Sequence, residues 1–154
     1  MELSSILKPE AVKVLSGTPS KKRLFQEIAD LGNAVHGLQT QATIEALLAR
    51  ENLGPTGVGH GVALPHARLG DIEEVAGVFI LLEKPIDFGS VDRQPVDIAF
   101  ALFAPEEAGV EHLKALALVS RTLREPTFCT KLRANPDTKT LYAILTEGHS
   151  VQAA

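Results

Sequence analysis

Two short segments, "VAGVFILLE" (75–83) and "VDIAFALFA" (96–104), constrain the fold more than any other feature of the chain. Each is rich in β-branched or aromatic residues, bounded by Gly, Pro or Asp, and apolar at nearly every position rather than at alternate ones. Strands of that composition are covered on both faces. A sheet built on two of them needs helices above and below, so the expected architecture is a three-layer α/β/α sandwich with a small mixed central sheet. Between them "KPIDFGSVDRQP" (84–95) holds two prolines and a glycine, the chemistry of a turn-rich connection rather than of a domain linker. One domain spanning 1–154 is expected.

The covering helices are legible from their period and punctuation. Ser20 caps an expected helix that runs through His36, with Leu24, Ile28, Leu31 and Val35 at helical spacing and Gly37 as its stop. A second is expected over about 40–52, with Ile44, Leu47 and Leu48 inward, Arg50 in its last turn and Gly54-Pro55 beyond it. In "VEHLKALALVSRTL" the residues Val110, Leu113, Leu116, Ala117 and Leu123 are expected to form the inward face, and Glu125-Pro126 to end the helix. A short helix over 127–134 follows, then one capped by Asp137 with Leu141, Ile144 and Leu145 inward, ending at Gly148 before a frayed "HSVQAA".

Composition excludes several function classes. A net charge of -4, with Lys21-Lys22-Arg23 as the one dense basic run, does not provide a phosphate-neutralising surface for nucleic acid. That run reads as the solvated first turn of a helix. The single cysteine, Cys129, cannot close an internal disulfide and reads as a small core residue. The N-terminus has no signal-peptide pattern and the apolar runs are too short to cross a bilayer, so a cytoplasmic protein without membrane insertion is expected.

The chemistry concentrates in "TGVGHGVALPHARL" (56–69), where glycines stand at 57, 59 and 61 and Pro65 precedes His66. The spacing fits neither G-x-G-x-x-G nor a P-loop, so nucleotide binding is unsupported. Proline fixes its own φ and pushes Leu64 into extended backbone, which sets the direction in which His66 emerges. Glycines let another molecule approach the main chain, and their N–H groups can cradle an anion such as a phosphoryl group. A neutral imidazole nitrogen is nucleophilic near pH 7, and phosphoryl transfer asks mainly for positioning and positive groups, which Arg50 can supply.

"RENLGPTGVGHGVALPHARL", together with "QPVDIAFALFAP" and "EHLKALALVSRTL", resembles the IIA phosphocarrier family of the bacterial phosphotransferase system, in its fructose/mannitol/nitrogen-regulatory branch. The resemblance spans nearly the whole chain and implies the IIA mannitol/fructose-type fold. It implies that His66 is the phosphoryl acceptor, His112 the second active-site histidine and Arg50 the arginine beside them. Gly59, His60 and Gly61 are the expected backbone donors to the phosphoryl group. The usual pattern has Asn where His60 stands and Gly where Ala67 stands.

A short free-standing chain most resembles the nitrogen-regulatory members. By that resemblance it takes phosphate from a dedicated HPr-like carrier (NPr type), needs no metal or cofactor, and regulates by its phosphorylation state, with potassium-transport and sensor-kinase proteins as possible targets. The alternatives are a sugar-specific IIA component, a non-catalytic binding module of the same fold, and a metal site built from His60, His66 and His112. His36 and His149, beside glycines, are expected as surface or capping groups.

Overall fold

The computed structural model describes residues 1–153, with side chains through Glu147; the last helix does not stop at Gly148 before a frayed tail, as expected, but continues to Ala153, and the capping role of the His149 side chain lies outside the described side chains. Six strands form one sheet: β1 (Val12–Leu15), β2 (Gly57–Gly59), β3 (Val62–Ala63), β4 (His66–Leu69), β5 (Ala76–Ile86) and β6 (Val96–Pro105). Their order is β1-β5-β6-β3-β2, and β4 also pairs with β6. The two apolar segments are therefore the central pair, antiparallel, with every residue from Ala76 to Leu82 buried. Phe79 and Phe100 are register partners and meet edge to face, centroids 6.1 Å apart. Burying each such ring contributes about 2–3 kcal/mol.

β1, β3 and β4 run parallel to their neighbours while β2 returns antiparallel to β3, so the sheet is mixed. The helices are α1 (Lys21–His36), α2 (Thr40–Asn52), α3 (Val110–Leu123), α4 (Pro126–Arg133) and α5 (Thr138–Ala153). α1 packs on β5, α2 on β4, α3 on β6 and α5 on β1, completing the three-layer sandwich.

The expected punctuation is in place. Ser20 Oγ accepts from the Arg23 N–H at 3.1 Å, and Gly37, at φ 72°, donates its N–H to Asn33 O at 3.1 Å. Only glycine enters that left-handed conformation without cost, which is why the helix stops there. Asp137 Oδ2 accepts from the Thr140 N–H, and Leu141, Ile144 and Leu145 are buried. Cys129 is buried, as expected of a small core residue.

Three further expectations are corrected. The inward face of α3 is His112, Ala115, Leu118, Val119, Thr122 and Leu123, whereas Val110 and Leu113 are 62% and 64% exposed. So many residues of this helix are apolar that the period alone fits two faces, and packing on β6 selects the one carrying His112. Lys21 is not a solvated cation: its Nζ pairs with Glu51 Oε2 at 2.9 Å and lies 4.6 Å from the Phe88 ring centroid. His36 is half-buried, its Nε2 2.9 Å from Gly77 O on β5, so it ties α1 to the sheet rather than serving as a surface group.

Candidate functional site

His66 opens β4, where Ala67 and Leu69 turn into the core while His66 is half-buried and Arg68 exposed. The ring's two nitrogens have different partners. Nδ1 lies 2.9 Å from the Leu64 carbonyl, which can only accept, so Nδ1 carries the proton. Nε2 is left with its lone pair outward and accepts from Arg50 Nε at 3.2 Å. Leu64-Pro65 interrupts the edge between β3 and β4; Leu102 N–H takes the Pro65 carbonyl at 2.9 Å, and the Leu64 carbonyl serves the ring.

Arg50 reaches the site from the last turn of α2, its Nη1 donating to Gly54 O at 3.0 Å. A cation there also suits the helix dipole. His112 enters from the first turn of α3, only 6% exposed, its ring centroid 5.8 Å from that of His66. Its Nδ1 is buried and has no partner among the described residues. Of the two neutral tautomers, the one with its proton on Nε2 leaves an acceptor rather than a donor unpaired at that buried nitrogen.

Burial favours the neutral form of both histidines. Burial pulls His66 below the usual histidine range; the Leu64 carbonyl pushes it up, Arg50 down and Glu51 up. His112 is lowered by burial, then by Arg68 and by His66. Arg68 is a cation that the sequence analysis passed over, although it stands two residues from His66 on one strand and so shares its face. Its Nη1 donates to Glu106 O and Ala108 O at 3.1 and 2.6 Å. Glu51 and Thr56 were also missed. Thr56 N–H donates to Glu51 Oε2 at 3.2 Å and Thr56 Oγ1 to Glu51 Oε1, but spacing alone gives no sign that a carboxylate next to Arg50 turns inward.

His66, His112 and Arg50 are thus brought together, whereas Gly59, His60 and Gly61 are not. His66 faces Leu102 on β6, while the Gly61 carbonyl accepts from Asp97 N–H and Ile98 N–H. At ~3.3 Å per residue that separation along the strand is roughly 15 Å. The His60 N–H donates to Asp92 Oδ2 at 2.9 Å and its carbonyl accepts from Arg133 Nη2 at 2.9 Å. The glycines therefore build a β2–β3 hairpin that reverses the chain toward His66, rather than an anion cradle beside it. At φ 57°, His60 occupies the left-handed region that Asn favours and His also tolerates. Ala67 points into the core opposite Phe103, where a methyl group fits. The same separation divides the trio His60, His66 and His112, so these do not converge on one metal.

A family model described as "Phosphoenolpyruvate-dependent sugar phosphotransferase system, EIIA 2" matches residues 5–148. A nitrogen regulatory protein of Bradyrhizobium diazoefficiens is 45% identical over 145 residues, covering 94% of this chain and 95% of that protein. One from Escherichia coli K12 is 40% identical over 148 residues, covering 96% and 91%. Among solved structures, Nitrogen Regulatory Protein IIA-Ntr from Neisseria meningitidis matches with a TM-score of 0.87 at 34% identity, over 94% of this chain and 99% of that one. IIA mannitol from Escherichia coli matches at 0.77 with 17% identity, over 90% and 98%, a likeness of fold.

Proposed function

The chain belongs to the EIIA 2 family of the phosphoenolpyruvate-dependent sugar phosphotransferase system, and from that premise we propose that it is a cytoplasmic histidine phosphocarrier of the nitrogen-regulatory type. Its phosphoryl donor is an HPr-like carrier, and its phosphorylation state regulates target proteins. The observation that carries this reading is the His66 ring fixed at both nitrogens, with Nδ1–H spent on Leu64 and Nε2 facing Arg50.

The reaction on this reading is a reversible in-line transfer. The Nε2 lone pair of His66 attacks phosphorus, the N–P bond of the donor's phosphohistidine breaks, and its electron pair returns to the donor's ring nitrogen. The ring proton of His66 stays on Nδ1, hydrogen-bonded to Leu64 O, throughout. Arg50 Nε–H, released from Nε2 as that lone pair bonds to phosphorus, turns to a phosphoryl oxygen, and His112 Nε2–H donates to another. Loss of the His112 ring then slows transfer without preventing attachment at His66.

The phosphoryl group adds roughly two negative charges and can switch a partner surface. Higher identity to the nitrogen regulatory proteins than to a fructose-specific EIIA component, 45% against 28%, favours the regulatory branch over the sugar-specific one. The test incubates the protein with enzyme I, an HPr-type carrier and phosphoenolpyruvate, and follows an acid-labile modification. Wild type acquires it and His66→Ala does not; label on His66→Ala at the wild-type rate overturns the assignment, and no label on wild type from any carrier leaves a binding module.

A further inference from the structure

One buried carboxylate beside the site has no part in the transfer just described. Glu51 follows Arg50 on α2, and its side chain is only 7% exposed. Three groups hold it: Lys21 Nζ from α1 at 2.9 Å, Thr56 N–H at 3.2 Å, and the Thr56 hydroxyl. The main chain carries the contact onward, since Thr56 O accepts from Leu64 N–H at 2.8 Å and Leu64 O accepts from His66 Nδ1. An unbroken line of hydrogen bonds therefore runs from Lys21 through Glu51 and Thr56 to the nitrogen that fixes the His66 tautomer. Arg50, on the same turn of α2, holds the other nitrogen. A buried carboxylate held by three donors is a rigid anchor, because moving it strands a charge.

We propose that Glu51 is a positioning residue for phosphoryl transfer: through Thr56 it holds the Leu64 carbonyl that orients His66, while Arg50 on the same helix holds the other ring nitrogen. The negative charge of Glu51 also acts on the ring, opposing that of Arg50. This rests on the phosphocarrier reading. The charged and titratable groups facing His66 are Arg50 and Glu51 from α2, His112 from α3 and Arg68 on its own strand. Among these, Glu51 alone is negative.

Two readouts separate charge from geometry. Glu51→Gln keeps the shape and most of the hydrogen bonding but removes the charge, so NMR titration of unphosphorylated protein should move His66 downward, to more acidic pH. Thr56→Val removes the hydroxyl, leaving the Thr56 N–H as the remaining link to Glu51 and the charge in place, so the rate of phosphoryl acceptance should fall severalfold with the amide spectrum intact, and Thr56→Ser should restore it. A merely structural Glu51 would change stability and leave the His66 titration where it is. An unmoved titration in Glu51→Gln, or wild-type acceptance in Thr56→Val, overturns the proposal. Because the titration needs no donor, it stands or falls independently of whether wild type accepts phosphate.

Discussion

Replacing Arg50 tests the site most directly, because one guanidinium makes two contacts with different consequences. Arg50→Met removes the donor to His66 Nε2 and the one to Gly54 O together with the charge. Hydrogen bonds from charged donors are worth about 1.5–3 kcal/mol. Arg50 is half-buried, so the lower part of that range applies. About 2 kcal/mol of lost transition-state stabilisation corresponds to a roughly thirtyfold slower transfer. The same substitution removes one of the influences that lower His66, so its titration should move upward and the acid limb of the rate profile should shift toward neutral pH. Arg50→Lys should separate the two effects. It keeps the charge, and with it the His66 titration, but a single ammonium cannot span His66 and Gly54 as the forked guanidinium does, so transfer stays slow. The assay is rapid-quench transfer from a radiolabelled HPr-type carrier across pH 5.5–8, paired with NMR titration of His66. A rate for Arg50→Met within twofold of wild type, or a His66 titration that does not rise, would refute the assignment of Arg50 to the phosphoryl group.

Stability should fall with acidification below about pH 6.5. His36, His66 and His112 are each lowered in the folded protein, burial being the main cause, so there the unfolded chain binds more protons. The loss begins as pH drops through the unfolded value and is complete below the folded ones. Urea midpoints at pH 7.5 and 5.5 measure it, and His36→Gln should shrink the difference. The phase of α3 is checked by two truncations: Leu118→Ala should cost about 2–4 kcal/mol, whereas Leu113→Ala should stay within about 0.5 kcal/mol. Equal losses would restore the face expected from the sequence.

The parts of the fold that were legible are those in which local chemistry and tertiary packing demand the same residues. Ser20 and Gly37 satisfy helix ends by their own side chain or backbone freedom, and the strands at 76–86 and 96–105 could be buried only on both faces. β1, with four residues, and β3, with two, are defined by the neighbour they pair with, which no local pattern encodes. The site divides in the same way. His66 was legible because Pro65 makes its direction a local property. The glycines were read as a cradle because glycine signals unusual backbone equally well for a hairpin, and only the register on β6 places that hairpin at the far end. Glu51 escaped notice because a carboxylate in a helical sequence defaults to solvent, and its three donors come from 21 and 56, apart in sequence and joined only by folding.

The surroundings of His66 are best understood as opposed influences on one nitrogen. A ring that only had to be neutral could be buried more deeply, but deeper burial would also weaken it as a nucleophile and hide it from a partner protein. Half-burial with Arg50 beside Nε2 favours the neutral ring, while the Leu64 carbonyl on Nδ1 and the Glu51 carboxylate push back. On the phosphocarrier reading that balance serves both directions of transfer. A basic Nε2 attacks phosphorus readily, yet must release it to the next acceptor, so its basicity has to lie near that of its donor and acceptor rings. The two partners also oppose a ring flip: a half-turn of the ring would set Cε1 toward Arg50 and leave the Leu64 carbonyl facing Cδ2, losing both hydrogen bonds. On that reading Nε2 is selected as the reacting atom by the Nδ1–H hydrogen bond to Leu64 O on the opposite side of the ring, formed before any phosphoryl group arrives.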